Sequence, residues 1–212
     1  MLLNKNKAFE LIKLLNKSIK NPKTSLKYRN QFTLLTSVVL SAQCTDINVN
    51  NVTKNIYKKY YTPKHFTDLG INKIRSLIKS IGLFKNKAKN LYYLSKILSD
   101  KYQSKVPSKF EELILLPGVG RKTANVVLNA AFNKPTIAVD THVFRVGNRT
   151  GLSNGKNPEQ VEHQLLQILP SKHIKKAHHL ILLHGRYTCK ARNPLCEECV
   201  INKICLYKGK NE

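Results

Sequence analysis

Four cysteines lie close together near the C-terminal end of the chain. Cys189, Cys196, Cys199 and Cys205 are separated by six, two and five intervening residues. Four thiolates form the tetrahedral ligand set of zinc, and they equally form the corner ligands of an iron–sulfur cubane. The spacing therefore predicts a metal centre and leaves zinc and iron–sulfur both open. The fifth cysteine, Cys44, stands apart and is expected to be a small buried residue.

A glycine-rich turn lies in the middle of the chain, in the segment Leu116–Ala124. Its glycines allow backbone N–H groups to approach a phosphate with no Cβ in the way, and the following helix directs its positive end there. This pattern is typical of a helix-hairpin-helix, which holds one nucleic-acid strand without reading bases. An ordinary turn between packed helices is the alternative. The predicted contacts with DNA are Gly118, Val119, Gly120 and Arg121.

Lys122 is predicted to lie in the first turn of the helix that follows the glycines. The partial positive charge of a helix N-terminus disfavours an ammonium group there and favours a neutral amine. A neutral amine is a nucleophile that forms a Schiff base with a carbon of carbonyl character and promotes elimination beside it. A plain phosphate-binding lysine is the alternative, and the spacing does not decide between the two.

Asp140 stands between the apolar run Thr136–Val139 and a helical pattern that continues to Arg149. An aspartate at this position is commonly a helix N-cap. It could also accept a proton from Lys122 and stabilise positive charge that develops on a sugar, and the two roles are compatible. No partner histidine lies at ligand spacing from His142, so we expect it to be structural or to face a phosphate.

The chain is strongly basic, with 37 Lys and Arg residues, 12 Asp and Glu residues and a formal charge of +25. Such a charge suits a phosphate-rich partner, because Lys and Arg release counterions from nucleic acid on binding. Drift towards A/T-rich codons is an alternative source of the lysines. Charged residues interrupt the apolar pattern of Met1–Lys20. We therefore expect no secretory signal, no membrane span and a cytoplasmic location.

Helical periodicity recurs along the chain and strand patterns are missing, so the sequence predicts an all-α fold. Capping boxes are expected at Ser108 with Glu111, and at Asn157 with Gln160.

We expect two closely joined lobes with an active site in the cleft between them. One lobe spans residues 24–133 and includes the hairpin. The other combines residues 1–23 and 134–212. Helices are predicted over Tyr28–Leu40, from Thr45 or Asp46 towards Tyr60, from Pro63, and over Ile71–Lys79 and Asn86–Tyr102, with Gly82 as a stop.

Taken in order, these motifs resemble the endonuclease III family of helix-hairpin-helix DNA glycosylases. The similarity runs from Leu40–Gln43 through Leu116–Ala124 and Val139–Arg149 to His184–Cys205. It is carried by the hairpin lysine, the downstream aspartate and the cysteine spacing together. The chain departs from the family pattern in its high charge and in Ile114, where a polar or acidic residue is expected.

The resemblance implies a bifunctional enzyme of base-excision repair. Lys122 would attack the sugar C1′ of a flipped nucleotide, Asp140 would assist, and β-elimination would cut the strand 3′ to the lesion. The four cysteines would hold one [4Fe–4S] cluster rather than zinc. The implied partner is double-stranded DNA that contains oxidised pyrimidines or abasic sites. The implied protein is a monomer, located in a bacterial-type cytoplasm and associated with the nucleoid.

The resemblance also implies further contacts with DNA. Gln43 would insert opposite the widowed base and Leu83 would act as a wedge on the other side. The residues alone favour a polar helix end for Gln43 and a core position for Leu83. Lys190 and Arg192, in the loop between the first two clustered cysteines, would contact phosphates. Two other functions stay open: a purely structural DNA-binding protein, and a monofunctional mismatch glycosylase that uses Asp140 and water.

Overall fold

The computed structural model describes residues 1–210, which form helices and turns without a β-strand, and the all-α prediction is confirmed. No helix in this part of the chain is both long enough and apolar enough to cross a membrane. The helices of the described residues are α1 (Lys5–Ser18), α2 (Gln31–Ser41), α3 (Asp46–Lys59), α4 (Pro63–Leu77), α5 (Phe84–Lys101), α6 (Phe110–Leu113), α7 (Arg121–Phe132), α8 (Thr141–Thr150), α9 (Pro158–Ile168), α10 (Ser171–Tyr187) and a 3₁₀ turn (Lys208–Lys210).

The chain divides into two compact units. The hairpin unit is the continuous segment Ser25–Phe132, and it contains α2 to α7. The cysteine unit combines Met1–Thr24 with Asn133–Glu212, and it contains α1 and α8 to α10. Each unit has a hydrophobic core of its own.

Helix α2 is the centre of the hairpin unit, because every residue from Phe32 to Leu40 is buried. It begins later than the sequence pattern indicates, at Gln31. The side chain of Asn30 accepts a hydrogen bond from the backbone N–H of Thr33, and the Thr33 side chain bonds back to the Asn30 backbone. This reciprocal cap fixes where the helix starts.

Helices α3, α4 and α5 surround this centre. Thr45 caps α3 through its side chain, as predicted, and α3 ends at Lys59. The predicted helices from Pro63 and from Ile71 form one element, α4, which is kinked where Gly70 has φ 68°. The buried face of α5 carries the apolar residues Leu91, Leu94 and Leu98 at helical spacing.

The predicted capping box at Ser108 and Glu111 is wrong. Lys109 is the N-cap residue of α6, and no side chain caps that helix. Helix α6 is only four residues long. A single turn makes few backbone hydrogen bonds, so the spacing of a capping pair says little about where it begins.

The core of the cysteine unit joins the N-terminal helix to helices from the C-terminal half. Leu11 and Leu15 of α1 are fully buried in the same cluster as Leu180 and Ile181 of α10. Asn157 caps α9 by accepting from the Gln160 backbone N–H at 2.9 Å, and this predicted cap is confirmed. In a capping box the Gln160 side chain would bond back to the backbone N–H of Asn157. Here it accepts instead from the backbone N–H of Lys156, at 2.8 Å.

Candidate functional site

The glycine turn of the hairpin unit needs one of its glycines for steric reasons. Gly118 has φ +79°, and a Cβ placed on it would lie 2.9 Å from the side-chain amide nitrogen of Asn90 on α5. Gly120 has open space where its Cβ would be. Val119 points into the core, and its N–H donates to the Leu116 carbonyl at 3.0 Å. The two exposed glycines, and not the valine side chain, therefore form the surface of the turn.

Lys122 is the second residue of α7, and its side chain is exposed. The Ala124 N–H donates to the Gly120 carbonyl at 2.9 Å, so the helix grows directly out of the turn. Buried Val127 and Leu128 fix the inner face of α7 in the core. The lysine is thus held at the N-terminus of an anchored helix, with its amine directed to solvent.

Arg121 precedes this lysine and packs back on the preceding helix. Its guanidinium carbon lies 5.3 Å from the ring centroid of Phe110 in α6. At that distance the ring attracts the cation. The arginine therefore links the two sides of the turn, in addition to any contact with a phosphate.

Gln43 and Leu83 lie on adjacent loops of the hairpin unit. Gln43 has φ 53° and Leu83 has φ 59°, which is the left-handed region that non-glycine residues rarely occupy. Both side chains are exposed, and Leu83 keeps 56% of its surface accessible. A Cβ on Gly82 would be 3.5 Å from the Gln43 carbonyl oxygen, so the two loops touch. The core position that the residues alone favour for Leu83 is wrong, because its side chain is exposed, and the wedge role that the resemblance implies stays a prediction. Gly82 lies in the break between α4 and α5, as predicted, although the C-cap residue of α4 is Ile78.

Asp140 belongs to the cysteine unit and caps α8. Its Oδ1 accepts from the Val143 backbone N–H at 2.8 Å. The predicted N-cap is therefore confirmed. A carboxylate has four lone-pair positions, so the cap bond leaves capacity for a second partner. The side chain is half-buried rather than enclosed.

Two arginines of the same helix hold the start of the cysteine loop, residues 188–206. The Arg145 guanidinium donates to the carbonyls of Gly185 at 2.7 Å and of Cys189 at 3.0 Å. It also lies 3.1 Å from His142 Nδ1, so this histidine has a structural partner. Arg149 donates to the carbonyls of Lys190 at 2.6 Å and Ala191 at 3.0 Å.

The four clustered cysteines border a single cavity in the cysteine unit, together with apolar side chains such as Leu195 and Ile201. None of the five cysteines forms a disulfide. Burial raises the pKa of the Cys199 and Cys205 thiols, and the charges of the neighbouring cysteines raise it further. A metal centre here would have to displace these protons, since thiolates are the ligands. Four sulfurs around one apolar cavity fit an iron–sulfur cluster.

His184 lies beside this cavity on α10. Its Nε2 is 3.7 Å from the sulfur of Cys199. Burial lowers the pKa of the imidazole to about 4, so the ring is neutral at physiological pH. On the other side, the Arg149 guanidinium lies 3.7 Å from the sulfur of Cys189. The side chains near these two sulfurs are thus a neutral ring and a cation, and Cys199 and Cys205 also have backbone hydrogen bonds with Ile201 and Tyr207.

Comparison with known proteins agrees with this fold and these motifs. The family described as HhH-GPD superfamily base excision DNA repair protein matches residues 36–171. The iron-sulfur binding domain of endonuclease III matches residues 189–205. The chain is 56% identical to endonuclease III of Rickettsia conorii over 95% of both proteins. It is 47% identical to endonuclease III of Escherichia coli K12, over 98% of this chain and 99% of that protein.

The solved structure of a trapped endonuclease III–DNA covalent intermediate superposes with a TM-score of 0.90 at 43% identity, covering 96% of both chains. The fold and the glycine turn define a helix-hairpin-helix protein of base-excision DNA repair. Within that class, the chain belongs to the endonuclease III family. It is a DNA glycosylase and abasic-site lyase, and its cofactor is one [4Fe–4S] cluster. Zinc, the other metal that the cysteine spacing allowed, is therefore excluded.

Sequence reasoning missed the residues that hold the loops. Three cations donate hydrogen bonds to backbone carbonyls of loops: Lys87 of α5, and Arg145 and Arg149 of α8. Asn90 of α5 lies against Gly118 of the glycine turn. One signal was available for Lys87, because it falls at helical spacing with the buried leucines of α5. A lysine on the apolar face of a helix indicates a buried cation with a specific partner.

Proposed function

We propose that this chain removes oxidised pyrimidines from double-stranded DNA and then cleaves the abasic strand, with Lys122 as the nucleophile. One observation carries the proposal. In a member of the endonuclease III family, Lys122 stands exposed at the start of an anchored helix, directly after the glycine turn. There the exposed glycines and the positive end of the helix favour a phosphate nearby.

The chemistry proceeds through a Schiff base. The neutral amine of Lys122 attacks the sugar C1′, and the damaged base leaves with the electrons of the glycosidic bond. The C1′–O4′ bond then breaks, O4′ takes a proton, and an iminium joins lysine to sugar. A base takes a C2′ proton, which converts the iminium to an enamine. The enamine then expels the 3′-phosphate with the electrons of the C3′–O3′ bond and becomes a conjugated iminium. Hydrolysis returns the amine and leaves an unsaturated aldehyde at the 3′ end of the fragment on the 5′ side of the nick.

Asp140 has two tasks in this proposal. One carboxylate oxygen keeps α8 capped by accepting the Val143 N–H. The remaining lone pairs accept the proton that the lysine ammonium must lose, and the negative charge stabilises the positive charge on the sugar. A half-buried carboxylate serves this purpose better than an exposed one, because a lower local dielectric strengthens its field.

Extrusion of the damaged nucleotide leaves a gap in the duplex, and we assign its filling to Gln43 and Leu83. Unstacking costs a few kcal/mol, and it costs least for a damaged base. Gln43 supplies an amide that can pair with the orphaned base. Leu83 offers an exposed apolar side chain that can stack in the duplex. Their left-handed backbones support this assignment, since strain of this kind gathers at functional positions.

The four clustered cysteines are the proposed ligands of the [4Fe–4S] cluster. When bound, the cluster supplies a rigid cross-link among four points of the cysteine loop. Lys190 and Arg192 are exposed on this loop and would contact DNA phosphates, as would the backbone surface of Gly118 and Gly120. We further propose that the protein acts as a monomer in a bacterial-type cytoplasm, associated with the nucleoid.

Borohydride reduction tests the proposal directly. Reduction during turnover on duplex DNA that carries thymine glycol or an abasic site should join the protein covalently to the strand. Lys122→Gln should abolish the adduct, because an amide cannot form the iminium, while binding to intact duplex stays within about threefold. Lys54→Gln is the matched control, since it makes the same substitution at an exposed lysine of α3 and should still give the adduct.

Each competing function predicts a different result. A structural DNA-binding protein would give no adduct and no nick with any substrate. A mismatch glycosylase that uses Asp140 and water would release bases without an adduct, and Lys122→Gln would leave that release intact. An undiminished adduct in Lys122→Gln would show that another amine is the nucleophile.

A further inference from the structure

Lys87 is a lysine buried in the hairpin unit. Only 4% of its surface is accessible. Its Nζ donates to the carbonyl of Leu40 at 2.9 Å and to the carbonyl of Ala42 at 2.5 Å. Burial lowers the pKa of this amine, and the charge of Cys44 acts in the opposite direction. A buried ammonium is costly unless it is hydrogen-bonded, so its retention at this position needs a reason.

The carbonyls that Lys87 binds belong to the C-terminus of α2. Helix α2 has no basic residue in its last turn, although its partial negative charge is greatest there. Lys87 supplies the missing cation from another helix, α5. The chain that leaves α2 runs through Ala42 into Gln43, so the lysine fixes the loop one residue before the glutamine.

The same residue is also bonded to the second loop. The backbone N–H of Lys87 donates to the carbonyl of Leu83 at 3.0 Å, which closes the first turn of α5. Leu83 is the N-cap residue of α5 and has no side-chain cap bond. Lys87 thus holds Ala42 with its side chain and Leu83 with its backbone.

Other contacts between the two loops involve a side-chain amide and a close backbone approach. The Asn48 side-chain amide donates to the Ser80 carbonyl at 3.2 Å, and Gly82 lies against the Gln43 carbonyl. The exposed side chains of Gln43 and Leu83 make no contribution to a core. The distance between these two side chains therefore depends on the backbone of the two loops, and the buried Lys87 holds that backbone.

We infer that Lys87 is a positioning residue that sets the spacing of Gln43 and Leu83, and thereby the ability of the enzyme to fill the gap left by an extruded nucleotide. This inference rests on the roles proposed above for those two residues. Lys87 does not touch the substrate. It acts through the carbonyls of Ala42 and Leu83.

The test compares Lys87→Met with Lys85→Met. Methionine keeps an unbranched side chain of similar length and removes the donors from the buried site. Lys85 is exposed on the same helix, so the control removes the same charge without losing a buried bond. Lys87→Gln, which keeps one amide donor, should fall between the wild type and Lys87→Met. If Lys87→Met does not fold, Lys87→Gln takes its place in the comparison. Thermal unfolding identifies a temperature at which all variants are folded.

Gap filling is measured without chemistry by the fluorescence of 2-aminopurine placed opposite a tetrahydrofuran abasic-site analogue in duplex DNA. Lys87→Met should reduce the population with Gln43 inserted by about tenfold, the factor expected for a lost hydrogen bond to a charged group. Single-turnover release of thymine glycol from duplex should slow by a similar factor at saturating enzyme. Lys85→Met should match the wild type in both measurements once binding is saturated.

Single-stranded DNA separates this inference from the proposed chemistry. A single strand that carries an abasic site leaves no gap, so Lys87→Met should form as much borohydride adduct as the wild type. Equal losses on duplex and single strand would show that Lys87 only supports the fold, and would overturn the inference. Wild-type fluorescence and duplex rates in Lys87→Met would overturn it as well. If no variant forms an adduct, the lysine chemistry fails, while the aminopurine signal still decides the role of Lys87.

A double-mutant cycle gives the final check. In a Gln43→Ala, Leu83→Ala background there is nothing left for Lys87 to position. Lys87→Met should then change the duplex rate by less than about twofold, because residues that act through one another are not additive. A full additional loss in that background would contradict the inference.

Discussion

The hairpin unit and the cysteine unit each hold a loop by donating from a cation to backbone carbonyls, but they differ in what else supports that loop. Lys87 binds the end of α2 from within a packed core. Arg149 binds a loop that has almost no core of its own, since Ile201 is the one buried residue between 188 and 210. Apolar burial therefore supports the first loop, and a cross-link must support the second.

The choice of cation fits this difference. Lysine presents a compact ammonium that can be enclosed among helix-end carbonyls, as Lys87 is. Arginine presents a planar fork that reaches two carbonyls from a half-exposed position, and Arg149 also stacks 4.4 Å from the ring centroid of Tyr207. The loop of the hairpin unit thus depends on the protein alone, while the cysteine loop depends on arginines and on the cluster together.

The largest expected effect is that of removing the cluster. Cys199→Ser should give colourless protein with little iron, in place of the yellow-brown protein expected for the wild type. Amide hydrogen exchange between residues 188 and 210 should accelerate by on the order of a hundredfold or more, because the cross-link is lost. Exchange at Leu91 to Leu98 of α5 should change little. Hydrogen-exchange mass spectrometry checks both segments in one experiment.

Cys44→Ser is the control for this measurement, since Cys44 belongs to the hairpin unit and is not one of the four clustered cysteines. It should retain iron and colour. If Cys199→Ser keeps the exchange protection of the cysteine loop, then the loop is held without the cluster, and the contrast between the two units disappears.

A smaller effect is expected for Arg149→Lys, which keeps the charge but loses the fork. The carbonyls of Lys190 and Ala191 cannot both be bound by one ammonium in the same geometry. Binding to duplex DNA should weaken by about tenfold. The slope of log Kd against log salt concentration should fall by about the amount that corresponds to one lost phosphate contact. Iron content should stay unchanged. Titrations at several salt concentrations measure this slope.

Lys203→Gln is the matched control, because Lys203 is exposed in the same segment but is not used to hold the loop. A purely electrostatic account of the loop makes the opposite prediction. In that case Lys203→Gln, which removes a charge, would weaken binding, while Arg149→Lys, which keeps the charge, would leave binding unchanged.

The sequence was most informative where local chemistry decides the structure. The caps at Thr45, Asp140 and Asn157 follow from short polar side chains that bind the next turn, and all three occur as predicted. The cysteine spacing and the placement of Lys122 behind the glycine turn are equally local. Such features need no knowledge of which helices pack together.

The features that escaped prediction depend on contacts distant in sequence. Lys87 bonds to carbonyls 45 and 47 residues away, and Arg145 reaches 40 and 44 residues along the chain. The residues alone favour a core position for Leu83, and only the resemblance implies an exposed wedge; the structure has the side chain exposed and the backbone in the left-handed region. Helical periodicity identifies a buried face, but it does not identify the carbonyl that a buried cation will meet.

The smallest expected effect concerns backbone strain, in which the two units also differ. The cysteine unit uses asparagines, Asn133 and Asn193, at its non-glycine positions of positive φ, whereas the hairpin unit uses Gln43 and Leu83 among others. Asparagine tolerates this conformation far better than leucine does. Leu83→Gly should therefore stabilise the protein by about 1 kcal/mol despite the added flexibility of the unfolded chain, and should raise Tm by about 2–4 °C. Asn193→Gly should change Tm by less than about 1 °C.

The same substitution should cost activity, because the apolar side chain of Leu83 is exposed where the proposed wedge must enter the duplex. Thermal unfolding and single-turnover kinetics on thymine-glycol duplex, run on one preparation, measure both quantities. A rise in stability together with slower base release would show that strain is retained at Leu83 for function. A fall in stability would mean instead that the leucine side chain packs well enough to outweigh its backbone, and the contrast in strain between the two units would be lost.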